Sequence, residues 1–278
     1  PEIPGNEILA LEHAADGTLW IGTTGGISRH VQGRTERFSF GETLPRKIVS
    51  DFLIDPDGTV WFATHSGLGK YDGRTFVMFT AKEGLPSNGV SSVLRADDGI
   101  LWLGTWHGLV RFKGESYTLL EPFEGLSRHD LGFLHQARDG TIWFGTQVYG
   151  AGRYDGTEFS RLGVENGLLS DHIFDIAETS DGALWFATPQ GLSKFNGTTV
   201  VNYTEKDGLL SRWVMDIHVD SDDVLWCATL LGVSRFDPKG FTRFTNRDGL
   251  RNHEGETAGV FAVEPDPDGG HLIGTGWG

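Results

Sequence analysis

The sequence has one cysteine among 278 residues, Cys227. A single cysteine excludes an internal disulfide framework and a zinc site built from several thiolates, and we expect this one to be a buried strand residue. Basic residues are also few: 23 Lys and Arg stand against 38 Asp and Glu, a formal net charge of −15. They are scattered singly, so the basic stripe typical of nucleic-acid-binding proteins is missing. We therefore expect no nucleic acid as a partner.

No apolar stretch approaches the roughly 18 residues that a membrane-spanning helix needs, so we expect no membrane insertion by this chain. Residues 1–10 lack the basic start and apolar middle of a signal peptide. Helical periodicity is not sustained anywhere along the chain. Glycine, in contrast, is abundant, with 40 residues, about twice the ordinary share, and is accompanied by 18 Phe and 9 Trp. Such a chain turns often and can bury a large core.

A repeat with a period close to 41 residues runs through the chain. The segment Asp16-Gly17-Thr18-Leu19-Trp20-Ile21-Gly22-Thr23 is followed by related segments centred on Trp61, Trp102, Trp143, Trp185 and Trp226. A seventh copy has Leu272 in the Trp position. Repeats of this length, each with a fixed aromatic residue, are typical of propellers and similar arrays.

Each repeat unit is predicted to form four short strands. In the third unit these strands cover residues 90–95, 101–105, 109–112 and 117–120, which is the size of one β-propeller blade. Asp98-Gly99 between the first two strands predicts a type I′ hairpin turn. The Trp on the second strand is expected to pack against the neighbouring blade, with the Gly or Ala two residues later making room for it.

The third unit also resembles a known family. Gly84 to Asn88, Asp98-Gly99, Leu101 to Thr105 and Gly108 to Phe112 resemble the two-component regulator propeller repeat, and Gly191 to Phe195 continue the pattern. The resemblance implies a propeller from the extracytoplasmic sensor part of a bacterial signalling protein, located in the periplasm or outside the cell. A looser likeness is to propellers of the streptogramin-lyase type.

We predict an all-β fold, a single seven-bladed β-propeller domain of four-stranded blades over residues 1–278, with an incomplete last blade. The units cover about 7–46, 47–87, 88–128, 129–170, 171–211, 212–257 and 258–278. The alternative is a six-bladed propeller with a two-stranded tail. Because an open sheet edge is a liability, the incomplete blade suggests a larger parent protein or a second chain that completes it.

The two ends of the blades differ in how much the repeats vary. We call one the loop end: it carries the loops between second and third strands and the segments that enter the first strands. The other, the turn end, carries the Asp-Gly turns and the turns between third and fourth strands. The turn end is short and uniform, whereas nearly all variation falls at the loop end, where function is expected to concentrate. The candidate ligand-binding residues there are His65, Trp106, His107, His129, Asp130, Gln147, Tyr149, Asp171, His172, Gln190, Arg212, Trp213, His253, Glu254 and Trp277.

These residue types suit a polar or sugar-like ligand, because aromatic rings stack and polar side chains direct hydrogen bonds. His107, His129 and His172 could converge on a metal, but they do not share one position in the repeat, so we predict no metal. His253 and Glu254 could act with Tyr149 in general acid–base chemistry. We expect no cofactor, since no Gly-rich segment leads into a helix that could bind a phosphate.

Three aspartates share one position in the first strands and are expected to be structural. Asp51, Asp175 and Asp216 occupy it, and we expect them to bond exposed backbone groups. The segment Asp55-Pro56-Asp57-Gly58 lacks the ligand spacing of a calcium loop and is interpreted as a hairpin turn.

The leading hypothesis is a non-catalytic sensor module that binds a small polar molecule, a glycan or a protein partner at the loop end. One alternative is a propeller lyase or hydrolase that uses His, Tyr or Glu residues of the same end. Another is a structural scaffold for protein interactions. These alternatives predict different effects of substitution, since loss of a catalytic group abolishes turnover whereas loss of a contact only weakens binding.

Overall fold

A computed structural model describes residues 3–5, 7–38, 48–114, 116–121, 131–250, 259–265 and 270–275. Within these residues the chain is built of short antiparallel strands joined by turns, with four one-turn 3₁₀ helices. It divides into two compact units, residues 1–134 and 135–277, which are described separately. No helix in the described part of the chain is long and apolar enough to cross a membrane.

The first unit contains three four-stranded sheets, each in sequential order. Their strands are β1 (Ile8–His13), β2 (Leu19–Thr23), β3 (Gly26–Val31) and β4 (Arg34–Phe38); β5 (Val49–Ile54), β6 (Val60–Thr64), β7 (Gly67–Tyr71) and β8 (Phe76–Phe79); and β9 (Val90–Arg95), β10 (Leu101–Thr105), β11 (Gly108–Lys113) and β12 (Ser116–Leu120).

The unit boundary falls within β13, and the second unit continues the same pattern. The fourth sheet contains β13 (Leu131–Gln136), β14 (Ile142–Thr146), β15 (Ala151–Tyr154) and β16 (Phe159–Leu162). The fifth contains β17 (Asp175–Glu178), β18 (Leu184–Thr188), β19 (Gly191–Phe195) and β20 (Val200–Tyr203). The sixth contains β21 (Val214–Val219), β22 (Leu225–Thr229), β23 (Gly232–Asp237) and β24 (Gly240–Phe244). A last, two-stranded sheet pairs β25 (Val260–Pro265) with β26 (His271–Thr275).

Sequential four-stranded antiparallel sheets of this size are the blades of an all-β propeller, as predicted. The prediction of seven blades is wrong: the described residues form six blades and a two-stranded sheet, which is the stated alternative. The described part of the seventh unit contributes β25 and β26.

The Asp-Gly segments form hairpin turns, but not of type I′. Type I′ needs a positive φ at both central residues, whereas in the first turn only Gly17 has one, at 84°. The N–H of Gly17 donates to the carbonyl of Ala14 at 2.9 Å, and the N–H of Thr18 donates to the Asp16 carboxylate at 2.9 Å. The aspartate is therefore selected for its side-chain acceptor, and the glycine for its backbone conformation.

The repeated tryptophans pack between blades, as predicted. Trp61 belongs to a core cluster with Val93, Leu101 and Phe112 of the third blade, and Trp185 is 1% exposed in a cluster with residues of the sixth. The small residue two positions later packs against a different neighbour than predicted. A Cβ on Gly22 would lie 2.9 Å from the Phe52 ring of the next blade's first strand, so the small residue makes room for that strand rather than for the Trp.

The one-turn 3₁₀ helices are an element that strand periodicity does not predict. They cover Ala81–Glu83, Val164–Asn166, Glu205–Asp207 and Asn246–Asp248, in the crossovers between blades. Thr204 begins the third one: its hydroxyl accepts from the N–H of Lys206, while Asp207 accepts from the N–H of Thr204 at 2.9 Å. This reciprocal capping is signalled by Thr-x-x-Asp in the sequence.

Candidate functional site

In the first unit, two predicted residues meet at the loop end. The rings of His65 and Trp106 lie 5.0 Å apart in an edge-to-face arrangement. The Trp106 indole rests on Gly89, where an added Cβ would lie 2.1 Å from the ring, and the main-chain N–H of Trp106 donates to the Gly89 carbonyl at 3.0 Å. Trp106 is therefore held half-buried, while His107 beside it is exposed.

In the second unit, Tyr149 and Asp171 are brought together by an arginine that the sequence did not single out. Arg161 on β16 donates through Nε to the Tyr149 carbonyl at 2.7 Å. Its Nη2 lies 3.4 Å from Asp171 and 3.2 Å from Glu165. The N–H of Gly150 also donates to the Asp171 carbonyl at 2.8 Å. These bonds fix the one-residue insertion of the fourth unit, and they leave Gln147 and Val148 exposed beside it.

An aromatic strip lies at the loop end of the fifth and sixth blades. His172 and Phe174 have ring centroids 4.4 Å apart, and Phe174 and Trp213 have centroids 6.0 Å apart with planes tilted by 33°. Trp213 is 39% exposed, although large aromatic side chains are usually well buried. Burial lowers the pKa of His172, which favours its neutral imidazole.

The strip continues into apolar side chains of the next loop. The N–H of Leu230 donates to the Trp213 carbonyl at 3.4 Å, and Leu230 and Leu231 are 37% and 54% exposed. Phe174 and both leucines were missing from the predicted site. Phe174 had a detectable signal, because the positions that align with it hold the small residues Ser50, Ser91 and Gly132 in three other units.

Gln190 and Arg212 lie at the same end, on backbone that is anchored by hydrogen bonds. The N–H of Gln190 donates to the Thr188 hydroxyl at 3.1 Å, and that of Arg212 donates to the Glu205 carboxylate at 2.8 Å. Both side chains are exposed. The other predicted residues, His129, Asp130, His253, Glu254 and Trp277, lie outside the described residues, and so does the predicted acid–base pair with Tyr149.

The three first-strand aspartates join neighbouring blades, which confirms their structural role. Asp51 accepts from its own neighbour Phe52 at 2.8 Å and from the N–H of Val93 in the next blade at 2.9 Å. Asp175 and Asp216 make the equivalent bonds to Ile217 and Val263, each at 2.8 Å. Cys227 is a buried strand residue, as predicted, and burial raises the pKa of its thiol, which makes it a poor nucleophile.

Concave surface is also present away from the predicted site. Clefts of about 570 and 380 Å³ open between blades at the turn end, one in each unit. Among the described residues, no three His, Cys, Asp or Glu side chains are grouped to hold a metal ion. What the loop end offers within the described ranges is an exposed, rigidly held surface of aromatic and polar groups.

Comparison with known proteins supports the fold and the resemblance. Residues 2–25, 84–107 and 167–190 match the two component regulator propeller model, which confirms the resemblance found in the repeat sequence. No curated protein matches the chain.

Several solved structures are similar over the whole chain. The extracellular domain of a protein described as a hybrid two component system from B. thetaiotaomicron is 22% identical, with a TM-score of 0.84. The match covers 99% of this chain and 39% of that one, so this chain spans well under half of that structure. A streptogramin B lyase is 16% identical with a TM-score of 0.80 and coverage of 100% and 93%. Virginiamycin B lyase from Staphylococcus aureus is 15% identical with a TM-score of 0.78 and coverage of 98% and 92%. At these identities the likeness establishes the propeller fold.

Proposed function

We propose that this chain is a binding propeller, the sensor part of a bacterial signalling protein, which recognises a small polar or glycan-like ligand at its loop end. The repeat family and the likeness to an extracellular domain of a hybrid two component system support this role. They also support a periplasmic or extracellular location. The same surface would serve a protein partner, and in a longer parent protein binding would be passed on to a signalling region.

The observation that carries the proposal is the exposed Trp213 ring, held next to Phe174. A flat ring that is fixed from behind and open in front is suited to stacking on the apolar face of a sugar or another ring. Exposed polar side chains such as Gln190 and Arg212 lie at the same end and can provide directed hydrogen bonds. The ring lies beside the exposed Leu230 and Leu231, and a group of exposed apolar side chains favours a binding role.

The test is a binding screen of the purified chain against an oligosaccharide array, followed by calorimetry on the hits. We expect Trp213→Ala to weaken binding by tenfold or more, since stacking on one ring contributes about 1–3 kcal/mol. Val201→Ala is the control, because Val201 is 49% exposed on an outer strand, away from the strip. Equal affinity of both variants contradicts the proposal.

A parallel incubation with a streptogramin B antibiotic distinguishes the lyase alternative. The binding proposal predicts no linearised product by mass spectrometry. Product formation that is lost on substitution of His172 would instead favour an enzyme.

A further inference from the structure

The larger cleft, of about 570 Å³, lies between the fourth and fifth blades at the turn end. One wall is formed by residues of β14, β15 and β16, and the other by β18, β19 and the turns that flank them. Its volume is in the range of small-molecule sites. It shares Arg161 with the loop end, where that side chain bonds Tyr149 and Asp171, but it contains neither Trp213 nor Phe174.

The floor of this cleft is apolar and partly aromatic. Trp143 and Leu184 are each 5% exposed, and Phe195 is half-buried beside them. The Trp143 and Phe195 rings meet edge to face at 6.1 Å, and the Trp143 indole N–H is already used by the Thr141 hydroxyl at 3.1 Å. A ligand on this floor would therefore present a flat apolar body.

The rim is rich in arginine, in a chain whose net charge is −15. Arg138, Arg153 and Arg161 all line the cleft, together with two acidic side chains, Asp139 and Glu178. Arg161 is already engaged by Glu165 and Asp171, so Arg138 and Arg153 are the arginines that a ligand would meet. Arg161 and Arg153 remain about one-third exposed.

Both acids on the rim are engaged by groups of the protein. Asp139 accepts from the Thr141 N–H and hydroxyl at 2.9 and 2.6 Å, and its second oxygen lies 3.6 Å from Arg153. Glu178 accepts from the main-chain N–H of Arg138 at 3.0 Å and lies 3.5 Å from His135. The rim thus retains donor capacity for an anion.

The equivalent cleft between the first two blades differs in the charges on its rim. Arg29 occupies the strand position of Arg153, opposite the repeated Trp. Glu36, across from Arg29 on the outer strand, accepts from its Nε and Nη2 at 3.3 and 3.1 Å. Opposite Arg153 the outer strand has Ser160 instead. Three aspartates, Asp16, Asp55 and Asp57, line that first cleft.

Arg138 is a second local difference between the two clefts. Aligned on the Asp-Gly turns, its position holds Ala15, Pro56, Asp97, Ser180 and Ser221 in the other five complete blades. Its guanidinium donates to the Ser180 carbonyl at 2.6 Å, which directs it along the mouth of the cleft. Compared with the first cleft, this cleft lacks the acid opposite its strand arginine and has an additional base, Arg138.

We propose that the cleft between β14–β16 and β18–β19 is a second binding site, which takes an organic anion with a flat apolar body, an aromatic carboxylate. The carboxylate would lie against Arg153 and Arg138, where planar guanidinium groups pair well with carboxylates. The ring system would lie on Phe195 and the surrounding apolar floor. The site does not depend on the proposed loop-end function.

The test is calorimetric titration of the chain with 2-naphthoate at pH 7, beside the uncharged 2-naphthalenemethanol. We expect the alcohol to bind at least about tenfold more weakly, since it lacks the charge that the arginines recognise. Ser160→Glu supplies the acid that Glu36 provides in the first cleft, and it should lower naphthoate affinity about tenfold. Ser160→Gln, of the same size without the charge, should change it less than about twofold.

Two further variants keep the outcome decisive. Val77→Glu places the same acid at the equivalent strand position of the second blade and should leave binding unchanged. Arg138→Ser introduces the residue of the following turn at an exposed position and should weaken binding about tenfold. The proposal is overturned by equal affinity for acid and alcohol, by no binding at millimolar naphthoate, or by unaltered binding in both Ser160→Glu and Arg138→Ser.

Discussion

The Asp175 carboxylate accepts a hydrogen bond from the main-chain N–H of Ile217 in the following blade, at 2.8 Å. Its other oxygen accepts from Ile176 at 2.7 Å. One side chain thus satisfies a backbone donor in each of two neighbouring first strands, beyond what the ladder within each blade provides. Asp51 does the same between the second and third blades, and Asp216 accepts from the N–H of Val263 after the sixth blade. Neighbouring blades are therefore joined by polar bonds as well as by the Trp layers.

Loss of the hydrogen bond between Asp51 and the N–H of Val93 is predicted to destabilise the folded protein. Asp51→Ala should lower the free energy of unfolding by about 2–3 kcal/mol, because the N–H of the buried Val93 loses its side-chain acceptor and is left unpaired. Ser92 is the matched control at the same repeat position, since its buried Oγ has no hydrogen-bond partner. Ser92→Ala should cost less than about 0.5 kcal/mol. Urea unfolding measures both, and equal losses would contradict the assigned role.

The stability of the protein is predicted to depend on pH through Asp175 and Asp216. Burial raises the pKa of Asp216 from 3.8 to about 6, and burial together with the Asp216 charge raises the pKa of Asp175 well above its usual range. The folded protein therefore holds protons that the unfolded chain has released. The stability contributed by this pair is complete below pH 4 and is lost as the pH rises through about 6.

Asp216→Asn should flatten this decline between pH 4 and 7, as measured by urea unfolding at each pH. Asp181→Asn is the control in the same unit. Hydrogen bonds from the Thr179 hydroxyl and Lys194 lower the pKa of Asp181 to about 2, so its contribution is lost only as the pH falls from 4 to 2. A wild-type slope in Asp216→Asn would exclude the pair as the cause.

The repeat pattern was sufficient to predict the strands, because Trp and Asp-Gly recur at fixed positions and each has a packing or turn requirement. The repeat pattern could not decide the number of blades, because the seventh unit has the same first-strand and second-strand motif as the complete units. The site was harder to predict. Trp213 was identifiable since it falls outside the repeated Trp position, whereas Arg161 acts from an outer strand and reaches Tyr149 only in the folded blade. Contacts between separate strands of this kind leave no periodic signal.

Gly89 does not have a positive φ, so its backbone conformation does not require glycine. We predict that glycine is needed there because the Trp106 ring leaves no room for a side chain. A Cβ there would lie 2.1 Å from the Trp106 indole, so Gly89→Ala should cost about 1–3 kcal/mol through overpacking. If the ring is the cause, Trp106→Ala should relieve the strain, and the double variant should be more stable than the sum of the two single changes predicts. Additive losses in a double-mutant cycle would place the strain elsewhere.

A shared carboxylate also joins the second and third blades at the turn end. Asp55 accepts from Arg95 Nε at 2.5 Å and Nη2 at 2.6 Å, and from the Trp61 indole N–H at 2.8 Å. Its side chain is 13% exposed, so its loss leaves the Trp61 indole N–H without this acceptor and leaves Arg95 with the Gly99 carbonyl alone. We predict that Asp55→Ala costs about 3–4 kcal/mol. Arg95→Met keeps the apolar stem and the Trp61 bond, and it should cost only about 1–2 kcal/mol. Urea unfolding of the two variants tests the order, and an Arg95→Met loss as large as that of Asp55→Ala would show that the arginine, rather than the shared acceptor, holds the contact together.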